Sequence, residues 1–270
     1  MLDRLRAWNR RRIAVHRQRR GTRQTVFGFA MNSTDEMVTG RFEPEETALV
    51  RTLLARADRF VNVGANTGYY CMFARRAGLP VTALEPVPGT AAILLENLAE
   101  NGLDGGTTVL PVAAGPVPGS ARIYGVGTGA SLLRGWAGNP LSLSQIVPVV
   151  RLDDVVAPPG QTERVLILMD VEGFEYPALQ GATRLLSSDP KPVWMIEIVQ
   201  EGSGTAKSAA IQQTFDLMRD TGYVARCAQS GMQRVTGPVE NVTNYVFHAD
   251  TLTVDQLLGP EADRIAVFQS

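Results

Sequence analysis

Three carboxylates stand where apolar runs of the chain end. Asp170 and Glu172 lie in "MDVEGFE", at the end of the run Val165–Asp170, and Glu197 lies in "MIEI", within Val193–Ile198. On an extended chain, residues two apart share a face, so Asp170 and Glu172 point the same way. Neither motif contains a basic residue, and three converging carboxylates repel one another unless a bound Mg2+ or a shared proton relieves them. A carboxylate so placed takes a proton from a hydroxyl as a general base, or holds a metal that acidifies the hydroxyl. Asp170, Glu197 and Glu172 are therefore candidate catalytic residues and candidate Mg2+ ligands. Acids at such positions also cap helices or pair with arginines, and Glu175 reads in that structural way. His248 ends a late apolar run and is a weaker candidate base; its type and place suit a surface position better.

A second cluster of signals lies upstream. "FVNVGANTGYY", Phe60 to Tyr70, joins a short apolar run to Gly64 and Gly68. Glycines there let backbone approach a ligand closely, and the amides that open the following helix are donors without internal partners. Glu85 follows Gly64 by 21 residues and ends the next apolar run; a carboxylate there accepts the hydroxyls of a ribose. "PVAAG" offers backbone groups and little bulk at Ala113 and Ala114, as adenine recognition requires. Gly64, Asn66, Gly68, Glu85, Ala113 and Asp170 are the candidate cofactor-binding residues. The turn lacks the middle glycine of the dinucleotide fingerprint. That counts against a nicotinamide-dependent oxidoreductase, but the residues alone leave a dinucleotide and S-adenosylmethionine both open.

The elements that must position these groups alternate. Strands are expected at Phe60–Val63, Val81–Glu85, Thr107–Val112, Val165–Asp170, Val193–Ile198, Tyr223–Cys227 and Asn244–His248, with a short one at Thr25–Ala30. Helices are expected from Glu43-Pro44 onward, over Tyr69–Ala77, over Gly89–Asn101, in "YPALQGATRLLSS" and in "AAIQQTFDLMRDTGY". Alternation of this kind builds a mostly parallel sheet with helices on both faces; the last two strands pair antiparallel. Residues 115–160, rich in glycine, proline and serine, read as an irregular insertion, a lid or substrate-binding excursion within a single domain over 25–270. Ser131 and Trp136 lie in it, and Trp136 is a candidate for stacking on a sugar ring or for ordinary packing. Tyr69 and Tyr70 line either the ligand or the helix–sheet interface.

Composition sets the outer limits. The 270 residues are 44% hydrophobic and 20% charged, which suits a globular protein with a sizeable core. Cys71 and Cys227 have no metal-type spacing, and no apolar run is long enough to span a bilayer. A cytoplasmic address is expected. The net charge of -1 conceals a segment, residues 1–24, with nine arginines and one acid, so the remainder carries -9 (-1 minus +8). Leu2, Leu5 and Trp8 recur at helical spacing there. The segment reads as a helix that packs Trp8 on its own domain or on a second copy in a homodimer, or as a contact for an anionic membrane surface. No nucleic-acid partner is expected. His16 within it reads as solvated, and the lack of serine argues against a transit peptide.

Four blocks in order, "GRFEPEE", "FVNVGANTGYY", "VTALEPVPGTAAILLENLAENGL" and "RLDDVV…VLILMDVEGFEYPALQGATRLL…PVWMIEI", resemble the FkbM family of S-adenosylmethionine-dependent methyltransferases. Asn62 departs from the family's pattern, which usually has aspartate there. The resemblance implies a class I methyltransferase (Rossmann-like) α/β fold: a seven-stranded sheet of order 3-2-1-4-5-7-6, strand 7 antiparallel, with helices on both faces. It implies S-adenosylmethionine as cofactor and O-methylation of a hydroxyl. The acceptor is then a hydroxyl-bearing small molecule or oligosaccharide, a saccharide or glycoside first and a polyketide-type natural product as the alternative.

Overall fold

The computed structural model describes residues 21–200 and 205–259. The expectations for Leu2, Leu5, Trp8 and His16, and for membrane or subunit contact through them, lie outside the described residues. Among the described residues no helix is long and apolar enough to cross a membrane.

The described part opens with a hairpin of two-residue strands, β1 (Arg23–Gln24) and β2 (Ala30–Met31). Most of the expected strand at Thr25–Ala30 is instead the turn of this hairpin, residues 25–29, and only Ala30 is in a strand. Thr25 Oγ1 donates to the Phe29 carbonyl at 2.8 Å and bends the segment back. Helices α1 (Asp35–Thr39) and α2 (Pro44–Leu54) follow. Pro44 opens α2 because its missing N–H costs nothing at the first helical position. The alternating part then runs β3 (Arg59–Val63), α3 (Tyr69–Arg76), β4 (Val81–Leu84), α4 (Pro88–Glu100) and β5 (Thr107–Leu110).

Next comes the region expected to be irregular. It forms a separate three-stranded sheet from β6 (Ala113–Ala114), β7 (Gly119–Tyr124) and β8 (Ser144–Val150), in the order β6-β8-β7, with a single 3-10 turn at Trp136–Gly138. A short helix α5 (Leu152–Val155) leads to β9 (Val165–Met169). "YPALQGATRLLSS" is two helices, not one: α6 (Glu175–Gln180) and α7 (Thr183–Leu186). Buried Asp153 explains the break, since its carboxylate accepts the amides of Arg184 and Leu185 at 2.8 and 3.1 Å and caps α7 from about 30 residues away in sequence. The described part continues with β10 (Val193–Glu197), α8 (Thr205–Asp220), β11 (Tyr223–Cys227), β12 (Gln233–Val235), β13 (Asn244–Ala249) and α9 (Val254–Leu258).

The main sheet has eight strands in the order β12-β11-β13-β10-β9-β3-β4-β5. From β10 through β5 all neighbours are parallel, whereas β13 is antiparallel to both β10 and β11. The eighth strand, beyond the seven expected, is the short exposed edge β12, hydrogen-bonded only to β11. Side-chain alternation splits the core in two. Phe60, Leu168 and Met195 pack with Leu49, Met72 and Leu94 on one face. Val61, Ile167, Met169 and Trp194 pack with Leu179, Phe215 and Met218 on the other. Both cysteines are free and buried.

His248 corrects the expectation of a surface residue or a base. It is fully buried on β13, opposite Val224, at the far end of the sheet from Asp170. Its Nε2 accepts from Arg226 Nε at 2.8 Å, and Nδ1 meets the Ala249 carbonyl at 2.8 Å, so the ring is neutral with its proton on Nδ1. Burial, then the Arg226 and Arg234 charges, pushes its pKa down; the Ala249 carbonyl and Asp250 oppose this. A depressed pKa means the native state binds fewer protons than the unfolded chain, so this contribution to stability is complete above about pH 6.5 and is lost as pH falls through the folded pKa. The urea midpoint of the wild type relative to His248→Gln should therefore fall between pH 7.5 and pH 5.5. A difference that does not change with pH contradicts this reading.

Candidate active site

The carboxyl ends of β3, β4 and β9 meet at one place, and the turn after β3 sets its geometry. Gly64 has φ 88°, and a Cβ on it would lie 1.8 Å from the Asp170 carbonyl oxygen. Gly64 is thus glycine because β9 presses against the turn as well as because the turn needs a left-handed residue. Asn66 also has positive φ, 50°, and its Oδ1 accepts the Thr67 amide at 2.8 Å. Gly68, at the N-cap of α3, makes room for the Leu94 side chain and lines neither hollow of the site. Its expected part in ligand binding is therefore indirect: it shapes the turn.

Gly64, Asn66, Glu85, Ala113, Asp170 and Glu172 line one hollow together. Glu85 is buried at the end of β4. Its Oε2 accepts the Asn66 amide at 2.9 Å and its Oε1 the Val87 amide at 2.8 Å. Burial raises its pKa to about 7 against the pull of those two amides. Each carboxylate oxygen keeps a lone pair for a further donor, which matches two adjacent hydroxyls. Val112, Ala114 and Ile123 supply apolar wall nearby, part of it from the small sheet.

A second hollow shares Gly64, Asn66 and Asp170 with the first and is also lined by Glu43, Asn62, Tyr69, Tyr70, Glu197 and Asn244. Here Asp170 and Glu197 line the same space, and each raises or lowers the proton affinity of the other. Burial, then the charges of Glu197, Glu172 and Glu175, pushes the Asp170 carboxyl well above the usual carboxylate range. Burial, then the charges of Glu43 and Glu172, raises Glu197 to about 7. Both carboxyls therefore bind a proton more readily than an exposed carboxylate does. Asp170 is half-buried and lines both hollows.

Glu172 has φ 55°, and its Oε2 accepts from Trp136 Nε1 at 2.6 Å while Ser131 Oγ donates to its carbonyl at 2.7 Å. Trp136 lies over Gly173, where any Cβ would meet the indole at 2.2 Å. Ser131 and Trp136 therefore fasten the small sheet to the loop after β9, and Trp136 is engaged in packing. Glu175 is buried and accepts the Gly173 amide at 2.9 Å, which orders the same loop.

The Mg2+ role expected for Asp170, Glu172 and Glu197 does not fit this arrangement. Among the described residues no three His, Cys, Asp or Glu side chains group to hold a metal ion, and one oxygen of Glu172 is turned to Trp136.

Two residues that line the second hollow, Glu43 and Asn244, are not among the expected site residues. Glu43 is the N-cap of α2, with φ 40° and no capping bond; its Oε2 instead accepts from Tyr70 Oη at 3.1 Å. Burial raises its pKa to about 7. An acid before a helix-opening proline reads as a helix start, and only the left-handed turn aims it inward. Asn244 reaches the hollow because antiparallel pairing sets it opposite Glu197.

The family model described as "Methyltransferase FkbM domain" matches residues 62–225. The chain belongs to this family. The FkbM match spans the Gly64 turn, Glu85, Asp170 and Glu197, so it covers both hollows' main walls but not Glu43 or Asn244. S-adenosylmethionine is the methyl donor the family implies. Among curated proteins no sequence matches. Solved structures similar to this chain include a methyltransferase FkbM from Methylobacillus flagellatus, 18% identical, covering 80% of this chain and 56% of that chain with a TM-score of 0.48. This FkbM chain thus spans a little over half the length of that protein. An O-methyltransferase from Bacillus cereus in complex with SAH is 13% identical, with 76% and 79% coverage and a TM-score of 0.44. TomG from Streptomyces achromogenes, an O-methyltransferase involved in tomaymycin synthesis, is 13% identical, with 76% and 78% coverage and a TM-score of 0.43. What those proteins bind or act on is theirs.

Proposed function

We propose that the protein is an S-adenosylmethionine-dependent O-methyltransferase acting on a hydroxyl of a saccharide or glycoside. The observation that carries this reading is the meeting of two hollows at Asp170, with Glu197 lining the second. S-adenosylmethionine, when bound, supplies a methyl group on a sulfonium, already a good leaving group. The buried Glu85 carboxylate and the Gly64–Asn66 turn hold the nucleoside and methionine ends, and Ala113 keeps the adenine wall thin. On the other side, Tyr69, Tyr70 and Asn244 position the acceptor. Holding the oxygen in line with the methyl group and excluding water supplies several kcal/mol of the barrier.

The hydroxyl proton needs a destination as the O–C bond forms and the C–S electron pair returns to sulfur. The Asp170–Glu197 pair provides it, since carboxyls raised toward neutrality are matched to proton transfer at physiological pH. The aromatic faces of Phe42, Tyr69 and Tyr70 beside carboxylates suit a ring that is apolar on its faces and hydroxylated at its rim. A polyketide-type acceptor lacks the dense donors these carboxylates call for. Incubation with labelled cofactor and a panel of sugars, glycolipids and macrolides tests the reading; label is expected on sugar hydroxyls, and label confined to macrolides or to nitrogen would overturn it.

Glu85→Gln should weaken S-adenosylhomocysteine binding by about 10–100-fold, the worth of hydrogen bonds to a charged group. Its acceptor KM should move far less. Equal losses in both would mean that Glu85 acts only on the fold.

A further inference from the structure

The hollow assigned to the methyl donor has a cover. Gly127, Gly129, Ala130 and Leu132, all from the connection between β7 and β8, line it together with Glu85 and Asp170. The space they leave is about 50 Å3, whereas sites for small-molecule ligands measure about 300–1,000 Å3. A ligand that carries a nucleoside and an amino acid enters only if part of this wall moves. The β7–β8 connection is the part built to do so. Its ends meet at a neck, where Tyr124 and Ser131 exchange backbone hydrogen bonds at 2.8 and 2.9 Å and the Gly125 amide donates to the Leu143 carbonyl at 2.8 Å. Beyond the neck, Gly127 and Gly135 take left-handed φ of 61° and 79°, and a Cβ on either would meet nothing within 4 Å. Bare backbone of this kind, with open space around it, absorbs a hinge motion at low cost.

Two bonds to one residue hold the cover down. Trp136 Nε1 donates to Glu172 Oε2 at 2.6 Å, and Ser131 Oγ donates to the Glu172 carbonyl at 2.7 Å. Asn139 carries this hold to the tip of the cover. Its amide donates to the Trp136 carbonyl at 2.8 Å, and its buried side chain donates from Nδ2 to the Gly129 carbonyl at 2.6 Å and the Tyr124 carbonyl at 3.2 Å. A shift of the indole is thereby passed to the backbone that roofs the hollow. An independent observation comes from Glu172 itself, which has φ 55°. A residue with a side chain persists in that conformation where its surroundings over-determine it, as they do at clamps and switches. Here Trp136 and Ser131 are those surroundings.

We propose that the β7–β8 connection, residues 125–143, is a gate over the cofactor hollow and that Trp136 is its latch, closed on Glu172 and released whenever the methyl donor enters or the spent cofactor leaves. The proposal rests on the methyltransferase reading above and adds how its cofactor is exchanged. Trp136 acts through Glu172, so it is a positioning residue. The latch closes in the same way over a filled hollow, and breaking it speeds entry and exit alike while the affinity changes little. A side chain that only walls the hollow behaves otherwise: its loss weakens binding by the same factor by which it speeds release.

The test loads the full chain with radiolabelled S-adenosylhomocysteine, chases it with unlabelled ligand and follows the label retained, with calorimetry for the affinity. Trp136→Phe keeps an aromatic ring over Gly173 and removes the donor to Glu172. Release should become about 10–100-fold faster, the scale of a hydrogen bond to a charged group, while Kd moves by only a small part of that factor. Ser131→Ala, which removes the second bond, should shift release in the same direction by less, and it decides the matter if Trp136→Phe does not fold. Wild-type release rates in both variants overturn the proposal and leave the methyltransferase reading standing. A Kd that rises in step with the release rate overturns it as well. A wild-type chain that does not bind S-adenosylhomocysteine takes down both.

Discussion

Asp170→Asn is expected to lower kcat by about 10²–10⁴-fold, the usual worth of a positioned proton acceptor, and at the same time to make the free protein more stable at pH 8. Asparagine keeps the shape of the aspartate but takes no proton from a hydroxyl. The stability gain follows from the direction in which the pKa moves. Burial and the neighbouring acids hold the Asp170 carboxyl well above its ordinary range. A raised carboxyl binds more protons in the native state than in the unfolded chain, so its contribution is favourable at low pH and is lost as pH rises through the folded pKa. At pH 8 the wild type carries crowded charges that the variant lacks. Each tenfold change in proton affinity between the two states is worth about 1.4 kcal/mol, or about 2–4 °C for a chain of this size. The thermal midpoint of Asp170→Asn should exceed the wild type at pH 8 and converge with it toward pH 5. Glu197→Gln should follow the same pattern in milder form. A variant that loses activity and stability together at pH 8 would mean that Asp170 serves the fold.

The other large effect is expected at Gly64→Ala. An added methyl meets the Asp170 carbonyl at 1.8 Å on a residue with φ 88°. The left-handed conformation costs about 1–2 kcal/mol for a residue with a side chain, and forcing β9 away costs about 1–3 kcal/mol more. The displacement acts on Asp170 itself, whose amide is held by the Val63 carbonyl at 3.0 Å. A drop in thermal midpoint of about 5–15 °C together with loss of S-adenosylmethionine binding is expected, read by thermal denaturation and calorimetry. Ala65→Gly serves as the contrasting change in the same turn. Wild-type binding in Gly64→Ala would show that the turn yields without affecting the site.

Both positions are legible in the amino-acid sequence because both belong to local patterns. The run ending at Val63 and the glycine after it announce a strand and a tight turn, and Glu85 follows from the length of one strand–helix–strand unit. The strands buried on both faces, β3, β9 and β10, read as continuous apolar runs and lie near their expected bounds. The small sheet is not legible in this way, because β7 and β8 are only partly buried and carry glycine, serine and proline. The hairpin at Thr25–Ala30 is obscured by "TVFGFA", whose aromatic residues suit a strand, while the Thr25 side chain makes it turn.

Within the site, what escapes the sequence is what depends on distant pairing. Glu43, at the start of α2, and Glu197, at the end of β10, line the same hollow, and no local signal links them. His248 shows the converse: its place at a strand end suggests the surface, whereas β11 and Arg226 bury it. The metal expectation for Asp170, Glu172 and Glu197 is sound in charge but not in geometry, because Trp136, far away in sequence, claims Glu172.

The central claim is that the hollow between the Gly64 turn, Glu85 and Asp170 is built for an adenosyl sulfonium. Calorimetric titration of the full chain with S-adenosylmethionine and, separately, with NAD addresses it most directly. Micromolar binding of S-adenosylmethionine with no heat from NAD is the predicted result. Micromolar NAD binding in a protein that ignores S-adenosylmethionine would contradict it.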